Sequence, residues 1–189
     1  MIPNHKQLLG LLDRMEPTFL AGRFATDFTA NPEADGERGS VMYFGGGYWD
    51  IVIEGAARFQ LAPRGSRVTQ DGTAPEDGPG LERLPMRPPW SLVLPRWSAF
   101  LGRADDDWQL NASVPVVEEG NSWRASLTSI VKPGFTGTLR VDAELYVITM
   151  ADLGHMVQTL VVDRTEPTGE DLAALEAIKS TEQQFTGTP

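Results

Sequence analysis

Apolar and polar residues alternate with period two through most of the middle of the chain, and follow helical spacing only near its two ends. Near the start, Asn4 stands ahead of Leu8, Leu11, Leu12 and Met15, which share one face of a helix that Pro17 ends. Toward the other end, "TGEDLAALEAIKS" opens on Thr168, and Asp171 follows three residues later as a variant of the capping box. Leu172, Leu175 and Ile178 make the apolar stripe of that helix, and Lys179 sits where its dipole favours a cation. The residues after it, 181–189, read as a disordered tail. "FLAGRFATDF" fits either period, but Gly22, its aromatics and the preceding Pro17 favour a strand.

The strands between are read from their alternation. Trp49, Ile51 and Ile53 face one side, Asp50 and Glu54 the other; Phe59 and Leu61 alternate with Arg58 and Gln60. The run 106–117 is the clearest, with Trp108, Leu110, Ala112, Val114 and Val116 against Asp107, Gln109, Asn111 and Ser113. Trp123, Ala125, Leu127 and Val131 continue the pattern, then Met156, Leu160 and Val162. One wet and one buried face per strand is the mark of an antiparallel sheet. Short turns at "EGAAR", "EEGN", "KPGFTG" and "DAE" punctuate it.

The triple glycine of "YFGGGYWD" belongs to this pattern. A phosphate loop needs a helix after the glycines and a lysine to meet the anion. Here a strand follows, and no lysine. The predicted structure is a hairpin, "SVMYF" turning back on "YWDIVIE".

One segment breaks the rhythm. Residues 71–96 contain six prolines, so they cannot form a central strand and read as a long, lid-like connection. The second half, with Trp90, Leu92, Val93, Leu94, Trp97 and Phe100 around it, is too apolar to hang in water and should pack on something.

Composition narrows the function classes. At 189 residues the chain reads as a single domain, 41% apolar and 22% charged, as expected of a folded globular protein. A net charge of −10 argues against nucleic acid as a partner. Arg83, Arg87 and Arg96 interleave with Trp90 and Trp97, but read better as arginine stems on an apolar base than as a nucleic-acid platform. There is no cysteine, so disulfides, thiolate nucleophiles and lipid-modified cysteines are excluded. No membrane span and no leader are legible. The sequence as written is expected to be cytoplasmic, and periplasmic or extracellular if a leader precedes it.

No catalytic signature is present. The two histidines, His5 and His155, are far apart, no GxSxG elbow exists, and Asp105–Asp107 lacks the alternation of a calcium loop. Neither an enzyme, nor a metal, nor a cofactor is expected.

Two stretches resemble a known family. "GGYWDIVIEG" followed by "ARFQLAP", and "SWRASLTSI" with "GTLRVDAELYVITM", are similar to the LolA/LolB-like lipoprotein-carrier superfamily across nearly all of 1–165. The resemblance implies an α+β fold: a strongly curved antiparallel half-barrel sheet, a helix near each end, and a lid-like insertion. It further implies a hydrophobic or amphipathic, lipid-like small ligand between sheet and lid. On that reading Trp49, Ile51, Phe59, Trp108 and Leu110 line the concave face, and Trp90, Leu92, Leu94, Trp97 and Phe100 form the lid. An ordinary core would use the same ten residues. The alternative is a regulatory module of this fold that binds a protein partner.

Overall fold

The computed structural model describes residues 1–29, 31, 36–70, 72–80 and 87–186. It has the expected class. Helix α1 (His5–Arg14) stands near the start and α3 (Gly169–Thr186) near the end, and among the described residues twelve strands between them form an open sheet. The strands are β1 (Phe19–Phe28), β2 (Arg38–Phe44), β3 (Tyr48–Ile53), β4 (Ala57–Ala62), β5 (Gly65–Gln70), β6 (Glu76–Pro79), β7 (Trp108–Leu110), β8 (Val117–Glu119), β9 (Ser122–Ser129), β10 (Thr136–Asp142), β11 (Ile148–Asp152) and β12 (Met156–Arg164). They pair in the order β6-β5-β4-β3-β2-β1-β12-β11-β10-β9-β7, with β8 also on β9. Every pair with a described register is antiparallel. The chain divides into two compact units that share out β1 and β12.

The first unit comprises Met1–Glu16, Ala25–Gly36 and Pro85–Leu160. In β9 the burial alternates without a break, with Trp123, Ala125, Leu127 and Ser129 inward. The strand stops there, so Val131, expected on the same face, is 60% exposed on the turn before β10. The run 106–117 is not one strand. β7 pairs with one end of β9 and β8 with the other, and 111–116 loop out between them. Two residues cause the break. The Asn111 carboxamide accepts from the Ser113 N–H at 3.0 Å, an Asx turn that competes with the ladder, and Pro115 has no N–H to donate. Val114, expected inward, is 38% exposed, and Ala112 is exposed as well. On β12, Gln158 joins Leu160 on the buried face.

The described part of the Pro-rich segment contains regular structure. Glu76–Pro79 is the edge strand β6, where a proline can sit at the strand's end. Helix α2 (Trp90–Val93) and a 3-10 turn at Pro95–Trp97 follow. Helix α2 packs on β11 and the 3-10 turn on α1, so this apolar half does find a surface. Arg87 lies over the Trp90 ring at 5.8 Å, and Arg96 donates to Glu16 at 2.6 Å. Residues 71 and 81–86 of the expected lid, Arg83 among them, lie outside the described residues.

The second unit comprises Pro17–Phe24, Glu37–Leu84 and Val161–Pro189. The triple glycine makes the expected hairpin turn: Phe44 pairs with Tyr48, and Gly46 and Gly47 take φ of 83° and 90°, where L side chains are strained. Helix α3 covers the sheet here, its Ile178 and Leu175 packing with Phe19, Ala21, Phe44 and Ala62. This explains one departure. Asp50, expected on a wet face, shares its face of β3 with Tyr48, and α3 packs against that strand. It is only 3% exposed and accepts two hydrogen bonds from Arg58, at 2.8 and 2.5 Å. Leu172, expected in the helix's stripe, is 49% exposed, because the buried position of that turn belongs to Asp171. The helix runs on to Thr186, through most of the segment expected to be a tail.

Candidate functional site

Helix α1 begins in a complete capping box. The Asn4 side chain accepts from the Gln7 N–H at 3.0 Å, and the Gln7 side chain accepts from the Asn4 N–H at 2.9 Å. The His5 ring contacts the Val114 carbonyl at 2.8 Å, tying the helix to the loop between β7 and β8. Only Leu8 and Leu12 of the helix are fully buried. The rest of its apolar stripe, Leu11 and Met15, faces outward across a groove of about 800 Å³.

The opposite wall is aromatic. Trp123 enters from β9, and Tyr146 from the turn between β10 and β11, with ring centroids 6.0 Å apart. That turn is built by Asp142, whose carboxylate accepts from the Glu144 and Leu145 N–H groups, both at 2.9 Å. It holds Tyr146 at φ 57°, a left-handed conformation that bulky residues rarely take. Strain of this kind persists where surrounding structure fixes it, often beside a binding site. Gly10, opposite, has no atom within 4 Å of where a Cβ would stand, so it widens the groove.

The groove's lining contains no acidic side chain, although the chain as a whole carries −10. Its charged side chains are Lys6 and Arg14, neither of which makes an ion pair among the described residues. Two cations flanking an apolar trough suit a molecule with an apolar body and an anionic head. Among the described residues no three His, Asp or Glu side chains gather as metal ligands.

The ten residues singled out in the sequence are divided between the units. Trp49, Ile51 and Phe59 lie in the second, on β3 and β4, where Ile51 and Phe59 are direct cross-strand partners. Trp49 stacks on Tyr43 at 4.3 Å, and its Nε1–H is buried with no hydrogen-bond partner among the described residues. The other seven lie in the first unit. Trp49, Ile51, Trp90, Leu92 and Leu94 are at most 1% exposed. Phe100, Trp108 and Leu110 are also buried; Phe59 and Trp97 are half-buried. Phe100 and Trp108 come together in the wall of a smaller cavity. Helical spacing puts Leu11 and Met15 on the helix's apolar face and strand alternation puts Trp123 inside the sheet, but neither pattern brings them together. The available signal was an apolar stripe wider than a short helix needs.

A solved LolA superfamily protein from Nitrosomonas europaea is similar to this chain at 14% identity, over 86% of this chain and 92% of that one, with a TM-score of 0.36. No family model matches the sequence, and no curated protein matches it. No helix among the described residues is long and apolar enough to cross a membrane.

Proposed function

We propose that the protein is a non-enzymatic binding module for an amphipathic small ligand with an anionic head, seated in the groove beside α1. The observation that carries this reading is the groove itself. Its 800 Å³ lies within the range of roughly 300–1,000 Å³ usual for small-molecule sites. Its body is Leu11, Met15, Trp123 and Tyr146, and its cations are Lys6 and Arg14. Burial of the ligand's apolar chain supplies the affinity, at about 25 cal/mol per Å² removed from water. The cations orient the head and contribute less, because they face solvent.

The groove takes precedence over the ten residues named from the sequence. A ligand among Trp49, Trp90, Leu92 and Leu94 would have to displace filled packing, whereas the groove is already open. Opening of the 71–96 segment would be a further step, and the groove does not need it.

The test is displacement of the fluorescent probe N-phenyl-1-naphthylamine by dodecanoate. Wild type should bind the probe saturably and release it to dodecanoate. Gly10→Trp, which fills the groove, and Leu11→Glu, which puts a like charge in it, should each weaken dodecanoate at least tenfold. Removing both cations with Lys6→Gln and Arg14→Gln should weaken dodecanoate by several-fold and leave 1-dodecanol unchanged. If the probe does not bind, or if the groove variants bind as wild type does, the reading fails. A protein-interaction module then takes its place.

A further inference from the structure

A second cavity of about 340 Å³ lies in the same unit, between the turn at 130–135 and the start of β12. Phe100, Trp108 and Phe135 give it aromatic walls, and Asp107, Ser129, Lys132, His155 and Gln158 are its polar lining. Most polar groups nearby are already engaged. The Ser129 hydroxyl accepts from the Lys132 backbone N–H at 3.0 Å, and the Asp107 carbonyl accepts from the Ile130 N–H at 2.8 Å. Lys132 lies over the Phe135 ring at 5.8 Å. The His155 Nδ1 faces the Leu153 carbonyl at 3.1 Å, so Nδ1 carries the proton and Nε2 is left as an acceptor in the neutral ring.

Among the buried side chains of the lining, Gln158 is the one left unsatisfied. It is 6% exposed, and its Oε1 is buried with no hydrogen-bond partner among the described residues. Its Nε2 reaches only the Met156 thioether, at 3.7 Å. Buried polar atoms are nearly always satisfied, and an acceptor left over in a cavity wall calls for a donor. Lys132 and Asp107 line the cavity with opposite charges, so neither a cation nor an anion is favoured there. The aromatic walls favour an apolar body.

We infer that this cavity is a second binding site, separate from the groove beside α1, for a neutral amphiphile whose hydroxyl donates to Gln158 while its apolar body lies against Trp108 and Phe135. The ligand class is therefore an apolar alcohol, in contrast to the anion proposed for the groove. The exposed rim explains access: Val131 and Phe135 are 60% and 53% exposed on the turn that forms the mouth.

The experiment is NMR of the intact protein carrying Gly10→Trp, which closes the other groove, with the Trp108 indole signal as readout. The probes are 1-octanol, octyl methyl ether, which cannot donate, and octanoate. Octanol should shift the Trp108 signal saturably. The ether should bind about tenfold more weakly, the loss of one buried hydrogen bond, and octanoate no better than the ether. Gln158→Met should abolish the preference for alcohol over ether. Should that variant fail to fold, Phe135→Ala at the exposed rim should weaken octanol several-fold. The inference is overturned if no probe moves Trp108, if ether and alcohol bind alike, or if binding is lost in the Gly10→Trp background. None of these outcomes bears on dodecanoate binding beside α1 in the wild-type protein, so the two readings fail separately.

Discussion

Asp171 accepts four hydrogen bonds: two from Arg164, at 2.6 and 3.1 Å, and two from Thr168, through its backbone N–H at 2.7 Å and its hydroxyl at 2.8 Å. Burial pushes its pKa up, but the bonds from Arg164 and Thr168 and the guanidinium charge outweigh burial and hold it below the ordinary value. The carboxylate thus caps α3 and anchors the helix to the end of β12. Its stabilising contribution is complete above an unfolded-state pKa of about 3.9 and drains away as pH falls through the lower native value. Asp171→Asn should cost about 1–2 kcal/mol at neutral pH in urea unfolding. The gap to wild type should narrow at about pH 2.5, below the unfolded-state pKa, as the carboxyl loses its charge. A gap of equal size at both pH values would show that the charge is not what matters. The pairing of Thr168 with Asp171 was legible in the sequence as a cap. Arg164 was not, because it reaches the helix from a strand whose placement no local pattern encodes.

At the level of elements, the hairpin of β2 and β3 shows how strongly a turn can be written into sequence. Gly46 and Gly47 both sit at positive φ, and the next residues start the return strand at once. Gly47→Ala should therefore destabilise the protein by about 1–2 kcal/mol. Gly10→Ala, in open space within α1, should instead stabilise it by about 1 kcal/mol through helix propensity. Thermal unfolding of the two variants checks this, and a loss of stability in both would contradict it. The alternation rule worked where one sheet face meets water and failed in two places with different causes. In β3, α3 covers the second face, so Asp50 is buried under Arg58 although the pattern made it wet. In 106–117 the alternation was real, but Asn111 and Pro115 divert the backbone before it can stay in the ladder. Period two reports side-chain polarity; it does not report what packs on the far side of a sheet or whether each residue can donate.

For the molecule as a whole, the fold class was readable from the order of elements and the spacing of turns. The site was readable only in part. Leu11 and Met15 declared an apolar face, but Leu8 and Leu12 alone fill the contact beneath α1, and only the structure shows the remaining face left open beside Trp123 and Tyr146. Conversely, Trp49 and Trp90 drew notice in the sequence because they are large and apolar, which is equally what a core requires. The five tryptophans now stand in distinct places: Trp123 in the groove, Trp108 in the smaller cavity, Trp49 and Trp90 deep in their own units, and Trp97 half-buried on the 3-10 turn. The most direct test of the central claim is a titration of indole-labelled wild-type protein with dodecanoate, following all five tryptophan signals by NMR. The account predicts a saturable shift of Trp123, with Trp49 and Trp90 unmoved. A still Trp123, or a response confined to Trp49 and Trp90, would contradict it.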